Sequence, residues 1–303
     1  MDDLEEPFGW WGWHWQPPVP MSIMQIIEAG SANTSIMALL WGMLSRRASI
    51  IVAAEPPMAG KTTTLTALLD LMPPGTRRVY LRGHYENFEF VSTPGIVPAQ
   101  TYVLANEMSD HLAVYLWGSR VYKMFELIEK GYAIGSTMHA ETVDDVMAIL
   151  DSDPLNVPAR WIARLTLVVN LYVSSTYGSA TRRFNTVHLL VPEEDQGSGG
   201  GGRGSEIAEE ASFSPQSPVL GPSLVPGVRP VLLARWDRKA DAFEHRFEDP
   251  EVMRKLALWA CVTPEEWGTD LARRKAYLER MREQGIKGIN PTRKALEAFQ
   301  AGR

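Results

Sequence analysis

"AAEPPMAGKTTTLTALL", residues 53–69, carries the reading of the whole chain. Gly60-Lys61-Thr62 is the tail of the phosphate-binding pattern G-x-x-x-x-G-K-[ST], although Glu55 stands where its first glycine belongs. Before it runs "ASIIVAA" (48–54), short, apolar and β-rich. After it runs "KTTTLTALLDLM", an apolar helical pattern stopped at Pro73-Pro74-Gly75. Strand, loop, helix is the setting in which this pattern binds phosphate. The Lys61 ammonium would then face the β- and γ-phosphates, and the Thr62 hydroxyl would coordinate Mg²⁺. The backbone N–H groups of Met58, Ala59, Gly60, Lys61 and Thr62, with Thr63 behind them, would cradle phosphate oxygens at a helix start. Glu55 only opens the turn, but it brings a carboxylate near polyphosphate, and Pro57 is a second departure from the pattern.

Outward from this stretch the chain alternates. "MSIMQIIEAG" and "NTSIMALLWGMLSRR" read as helices, and "RRVYLRG" and "TYVLANE" as strands. Residues 112–130 read as an amphipathic helix, "YAIGSTMHA" as a strand and "TVDDVMAIL" as a helix. "LTLVVNLYVSS" and "TVHLLVPEE" read as strands paired around Gly178. That order predicts an α/β fold with a largely parallel sheet. Four regions follow: a Trp/Pro-rich arm (1–20), the core (21–192), a Gly/Ser/Pro-rich linker or insertion (193–229) and a charged helical C-terminal subdomain (230–303). The last has helix starts at Asp249-Pro250, Thr263-Pro264 and Asn290-Pro291. The arm is expected to dock on the domain or on a partner, and its tryptophans would also suit a membrane interface.

Composition narrows the function. In 303 residues the formal charge is −6, which gives no reason to expect a nucleic-acid partner. The single Cys261 excludes an internal disulfide and a cysteine-rich zinc cluster and fits a reducing compartment. The sequence shows neither a signal peptide nor an apolar run long enough to span a membrane.

Two further elements carry chemistry. "YVLANEMSD" ends a β-run at Glu107, placing a carboxylate at the carboxyl end of a central strand, where it can polarise a water or hold Mg²⁺ through one. "GSTMHAET" puts His139 after a strand of small residues, positioned to contact a γ-phosphate or to report nucleotide state.

In this order the three elements resemble the motor ATPases of type II and type IV secretion, type IV pili, tight-adherence pili and archaeal flagella. "GSTMHAETVDDVMAIL" is similar to that family's histidine box, and "YVLANEMSD" to its Walker B element, with Asn106 where glycine is usual. "LNVPARWIARLTLVVNL" and "DLARRKAYLERMREQGI" resemble its later segments. The resemblance implies a RecA-like P-loop core that uses ATP and Mg²⁺. Glu107, Lys61 and His139 would be catalytic, with Thr62 and Glu107 at the metal. It further implies a hexameric ring, or a ring completed by a partner polypeptide, serving an inner-membrane secretion or pilus platform from the cytoplasm or the cytoplasmic membrane face. Four features depart from the family, one being that the stretch between Glu107 and His139 is longer than the family pattern. The acidic box is replaced by Arg82-Gly83-His84, with Glu86 and Glu89 nearby; Ser109 replaces an arginine; and the domain that precedes the motor is almost absent. An arginine acting across a subunit boundary would come from Arg46, Arg47, Arg77, Arg78, Arg120, Arg160 or Arg164. The competing expectation is a degenerate relative that does not hydrolyse and serves as a structural or regulatory subunit.

Overall fold

The structure, a computed structural model, describes residue 10 and residues 20–176, 179–193 and 225–302, with only the backbone of 175, 176 and 179. The rest of the Trp/Pro-rich arm, Gly178 and most of the linker lie outside the described residues. The chain forms a mixed α/β architecture with a helical C-terminal region.

Two helices come first, α1 (Ile23–Glu28) and α2 (Thr34–Leu44). Ser22 and Gln25 close a capping box on α1, and Asn33 caps α2 by accepting from the Ile36 amide. Next come β1 (Ile50–Ala53), α3 (Lys61–Leu68), β2 (Arg77–Tyr80), β3 (Thr101–Leu104), α4 (Ser119–Glu129), β4 (Ala133–Met138), α5 (Val143–Asp151) and α6 (Ala159–Ile162). The strands β5 (Leu167–Thr176), β6 (Ser179–Pro192), β7 (Val228–Asp237) and β8 (Ala242–His245) precede α7 (Pro250–Trp259), α8 (Pro264–Glu283) and α9 (Ile289–Ala301).

One sheet joins all eight strands in the order β2-β3-β4-β1-β5-β6-β7-β8. From β2 to β5 the neighbours are parallel; β5 to β8 are antiparallel. β1 is central and buried on both faces, as a continuous apolar run should be. Ile50 and Val52 enter the core beneath α2, α3 and α8, while Ile51 and Ala53 enter the one beneath α4, α5 and α6.

Three expectations need correction. The sheet is parallel only in its first five strands. Residues 228–245, assigned to the linker and the helical subdomain, are β7 and β8. "VRPVLLARWD" buries Val228, Pro230 and Leu233 against the core and pairs with β6, which would otherwise be an open edge. The helix expected over 112–130 starts only at Ser119, because Gly118 (φ 62°, ψ −139°) breaks it. Before that glycine the chain folds back onto the 107–109 segment, the Leu116 amide donating to the Glu107 carbonyl (2.9 Å) and the Ser109 amide to the Leu116 carbonyl (3.1 Å). A smaller shift places the start of α9 at Ile289, so that Asn290-Pro291 falls inside its first turn.

Asp249 and Thr263 cap α7 and α8 as expected, each followed by proline. The C-terminal helices have no core of their own: Leu256, Trp267, Leu278 and Leu296 pack into the same cluster as α2. Every residue of α2 is buried, as befits a helix held between the sheet and α8. Arg274, fully buried on α8, lies over the Trp41 ring of α2 (4.8 Å) and pairs with Asp270 (3.1 Å), which also takes Arg46 (2.9 Å). Burial alone would raise the Asp270 carboxyl, but Arg274 and Arg46 outweigh it and hold it below the usual range.

Candidate functional site

The loop between β1 and α3 turns sharply twice. Met58 and Gly60 both take left-handed backbone conformations (φ 57° and 92°), delivering Lys61 to the first position of α3. The first amides of a helix have no partner within it, so those of Lys61, Thr62 and Thr63 open toward the loop. Above them lies a cavity of about 420 Å³, lined by residues 57–64 and by Asn106, Glu107, Tyr115, His139 and Arg182.

At the floor of that cavity the three sequence elements meet. Lys61, 6% exposed, directs Nζ to Glu107 Oε2 (3.5 Å), to His139 Nε2 (3.0 Å) and to the Ala54 carbonyl (3.4 Å). His139 Nε2 lies 3.2 Å from Glu107 Oε1. The His139 Nδ1–H donates to the Glu55 carbonyl (2.8 Å) while Nδ1 also lies 3.2 Å from Lys61 Nζ, so both ring nitrogens border Lys61 and Nε2 alone faces Glu107. Thr137 holds the Asn106 carbonyl (2.9 Å) and lies 3.5 Å from Glu107. Burial pushes the Lys61 ammonium below its ordinary value, and the neighbouring Glu107 carboxylate opposes that shift. β4 lies between β1 and β3, so Glu107 reaches Lys61 from across an intervening strand, with His139 at that strand's end closing the gap.

Glu55 contributes its carbonyl here. Its side chain is exposed and does not line the cavity, yet its carboxylate still acts on the Lys61 ammonium, adding to Glu107 in opposing the effect of burial. Met58, Ala59, Gly60, Thr62 and Thr63 all line the cavity. The nearby acids are elsewhere. Glu86 accepts from the Arg82 and Phe88 amides (3.0 and 2.6 Å) and so braces its own loop, while Glu89 is exposed.

Sequence reading missed two arginines. β5 and β6 run on past the level of β1: Ala53 pairs with Asn170, and residues 171–176 continue for about 20 Å. This hairpin stands over the phosphate-type loop and places Arg182 against it, where Nη2 donates to the Met58 carbonyl (3.3 Å). A Cβ added at Gly60 would meet the Arg182 side chain at 3.4 Å, so the loop and the arginine are in close contact. Arg183 is committed elsewhere, gripping Asp241 with two hydrogen bonds (2.9 and 3.0 Å). Two adjacent arginines inside a β-run, "TRRFN", were the available signal. Tyr115 was also missed. It lines the cavity, and burial and Glu107 both push its hydroxyl upward, keeping it protonated.

Trp10 is buried against this region. Its indole N–H donates to Thr66 Oγ1 (2.8 Å), Thr66 donates to the Thr62 carbonyl (2.7 Å), and its ring meets Tyr80 edge-on at 5.0 Å. Of the two fates foreseen for the arm, docking on the domain holds at this residue.

Among the described residues no group of three or more His, Cys, Asp or Glu converges to hold a metal, and no helix is long and apolar enough to cross a membrane.

No family model matches the chain. Two curated proteins of Methanocaldococcus jannaschii, both uncharacterized, are similar to it. One is 25% identical over 196 residues, covering 57% of this chain and 34% of that protein. The other is 26% identical over 183 residues, covering 55% and 67%. The chain thus spans about a third of the first relative's length. Among solved structures, the VirB11 ATPase of the Brucella suis type IV secretion system aligns with a TM-score of 0.39 at 17% identity, over 58% of this chain and 60% of that one. The Legionella pneumophila ATPase DotB aligns at 0.36 and 13%, over 59% and 54%. Likenesses this loose do not assign an activity.

Proposed function

We propose that the chain binds ATP with Mg²⁺ at the 57–64 loop and hydrolyses it as a motor subunit of a secretion or pilus-type assembly, on a RecA-like P-loop core. The observation that carries this reading is the convergence of Lys61, Glu107 and His139 at the floor of a cavity whose wall is a helix start with unpartnered amides. Chance pairing of a G-K-T tripeptide with unrelated residues would not bring the three elements, read separately along the chain, within hydrogen-bond distance.

The residues present suit the ligand. A nearly buried lysine balanced by one carboxylate and one imidazole is a cation that phosphate oxygens can take over. About 420 Å³ lies within the range of small-molecule sites, roughly 300–1,000 Å³. Mg²⁺ keeps waters and substrate oxygens in its shell, so Thr62 and Glu107 suffice without a carboxylate cage. When bound, MgATP supplies the phosphoanhydride and a divalent charge. Lys61 would exchange Glu107 for phosphate oxygens, freeing that carboxylate to orient a water. His139, anchored through Nδ1 on Glu55, would register the exchange through Nε2. Arg182, of whose five N–H groups the described bonds use one, supplies a second cation from the hairpin above. The ring, a partner polypeptide and a cytoplasmic place at a membrane platform belong to this proposal through the resemblance of the three motifs.

A specific observation favours a second reading. With Glu86 turned onto its own loop and Glu89 in solvent, the acidic box has no counterpart at the cavity, which suits a nucleotide-binding subunit that does not turn over. Mg²⁺-dependent ATP hydrolysis, run beside Lys61→Ala and Glu107→Gln at several protein concentrations, separates the two. Turnover lost in both variants and rising per subunit with concentration supports the motor. Binding without turnover supports the second reading, and neither binding nor turnover rejects both.

A further inference from the structure

A second cavity, about 1,250 Å³, lies at the other end of the sheet, where the parallel strands begin. Ser49, Ala133 and Thr166, at or just before the starts of β1, β4 and β5, form its floor. Five cationic side chains line it, Arg46, Arg47, Arg164, Arg229 and Lys255, against two carboxylates, Glu129 and Glu193. That excess stands out on a chain whose formal charge is −6.

Three of the five cations are committed. Arg46 pairs with Asp270 (2.9 Å), Lys255 with Glu251 (3.1 Å), and Arg47 donates to the carbonyls of Pro98, Thr101 and Gly131 (2.8, 3.0 and 3.2 Å). The side chains of Arg164 and Arg229, both exposed, make no hydrogen bond or ion pair among the described residues. The two carboxylates have nearer partners: Glu129 takes Arg160 (3.1 Å) and feels Arg164 only at longer range, and Glu193 accepts from the Gly227 amide (3.2 Å). Beside these charges α7 turns an apolar surface outward. Leu258 is 77% exposed, an unusual state for a leucine bordering a cavity, and Trp259 is next to it.

We propose that this cavity is a docking site for an acidic peptide segment of a partner protein, with Arg164 and Arg229 taking carboxylates and Leu258 and Trp259 receiving a bulky apolar side chain. Charge complementarity selects the acid, since two exposed guanidiniums whose N–H groups make no hydrogen bond among the described residues match carboxylates in fork geometry. Size and polarity select a peptide over a simple anion, because the volume exceeds the usual small-molecule range and much of the wall is apolar. Nucleic acid fits poorly, because Glu129 and Glu193 flank the cations. This surface is independent of nucleotide chemistry at the opposite end.

The test is fluorescence anisotropy of a fluorescein-labelled peptide, Asp-Glu-Glu-Trp-Glu-Leu-Glu-Asp, titrated with the full chain at low and moderate salt. Binding is expected to weaken at least tenfold in the double variant Arg164→Glu/Arg229→Glu, severalfold in Leu258→Ser, and with rising salt. It should be unchanged in Lys61→Ala and lost when Gln and Asn replace the acids of the peptide. All three cavity side chains are exposed, and an unaltered unfolding midpoint shows that the variants fold. No binding by the unaltered chain, binding indifferent to the double variant, or equal binding of the uncharged peptide overturns the proposal. Full displacement by inorganic pyrophosphate at similar concentration would make the site a plain anion site, also overturning it. Binding that emerges only when residues 194–224 are replaced by a short Gly/Ser linker would overturn it in favour of an occupant within the chain.

Discussion

β1 has a cavity at each end, and the two treat charge in opposite ways. At its carboxyl end Lys61, Glu107 and His139 satisfy one another in a nearly buried cluster. At its amino end Arg164 and Arg229 stand exposed, with no hydrogen bond or ion-pair contact among the described residues. A buried cation without a counter-charge is costly, so under the proposed function Glu107 and His139 would stand in for the ligand until it arrives. An exposed guanidinium is hydrated and needs no substitute, so the second site can wait open. The first suits a ligand that displaces a neighbour; the second suits one that only adds a contact.

The largest effect expected from disturbing this contrast comes from Asp270, the residue that neutralises Arg46 beside the amino-end cavity and Arg274 within the core. Asp270→Ala leaves a fully buried guanidinium without its carboxylate and should cost about 3–5 kcal/mol in urea unfolding. Arg229→Ala, which removes an exposed charge, should change stability by less than about 0.5 kcal/mol. If the two variants unfold alike, the division into committed and open cations fails.

Next in size is Lys61→Ala, which should lower ATP affinity or turnover by about 10²–10³-fold, the scale of losing one charged donor in a dry site. Arg164→Ala should leave both unchanged. Nucleotide titrations of the two variants, run side by side, check the pairing directly.

His188 on β6 gives a third handle. Burial holds its imidazole down to a pKa of about 4, from an ordinary 6.5, and Nδ1 has no hydrogen-bond partner among the described residues. The unfolded chain therefore binds the proton first as pH falls. Stability is complete above about pH 6.5 and is lost on descent toward about pH 4, by on the order of 3 kcal/mol. Urea midpoints at pH 7 and pH 4.5 should diverge less in His188→Phe; equal divergence would mean that His188 is hydrated.

The smallest effect is at Trp10. Trp10→Phe keeps the ring and removes the bond to Thr66, for about 1 kcal/mol of stability. A thermal midpoint unchanged by this variant would detach the arm from α3.

Much of the carboxyl-end site was legible in the sequence, because its members end short elements with strong local signals. Lys61 follows a strand and opens a helix, Glu107 ends an apolar run, and His139 ends a run of small residues, so reading the elements located the residues. The amino-end cavity was not legible. Arg164, Arg229 and Leu258 come from three distant segments, and only the register of β5, β6 and β7 brings them together. Arg182 was missed for a related reason. Its place over the loop depends on how far the hairpin outruns β1, a length that pattern alone does not fix. β7 was hidden by its surroundings, since a strand that follows a Gly/Ser/Pro-rich stretch and precedes charged helices shares its composition with neither.

The burial of α2 on every side sets a schedule for synthesis. Its partner α8 leaves the ribosome about 240 residues later, on the order of 12–48 s at roughly 5–20 residues/s. Until then a helix with apolar side chains all around has only part of its cover, and it must be shielded by a chaperone or remain unformed. Ribosome-bound chains halted near residue 260 should accordingly be cut by protease within 34–44, and released full-length chains should resist.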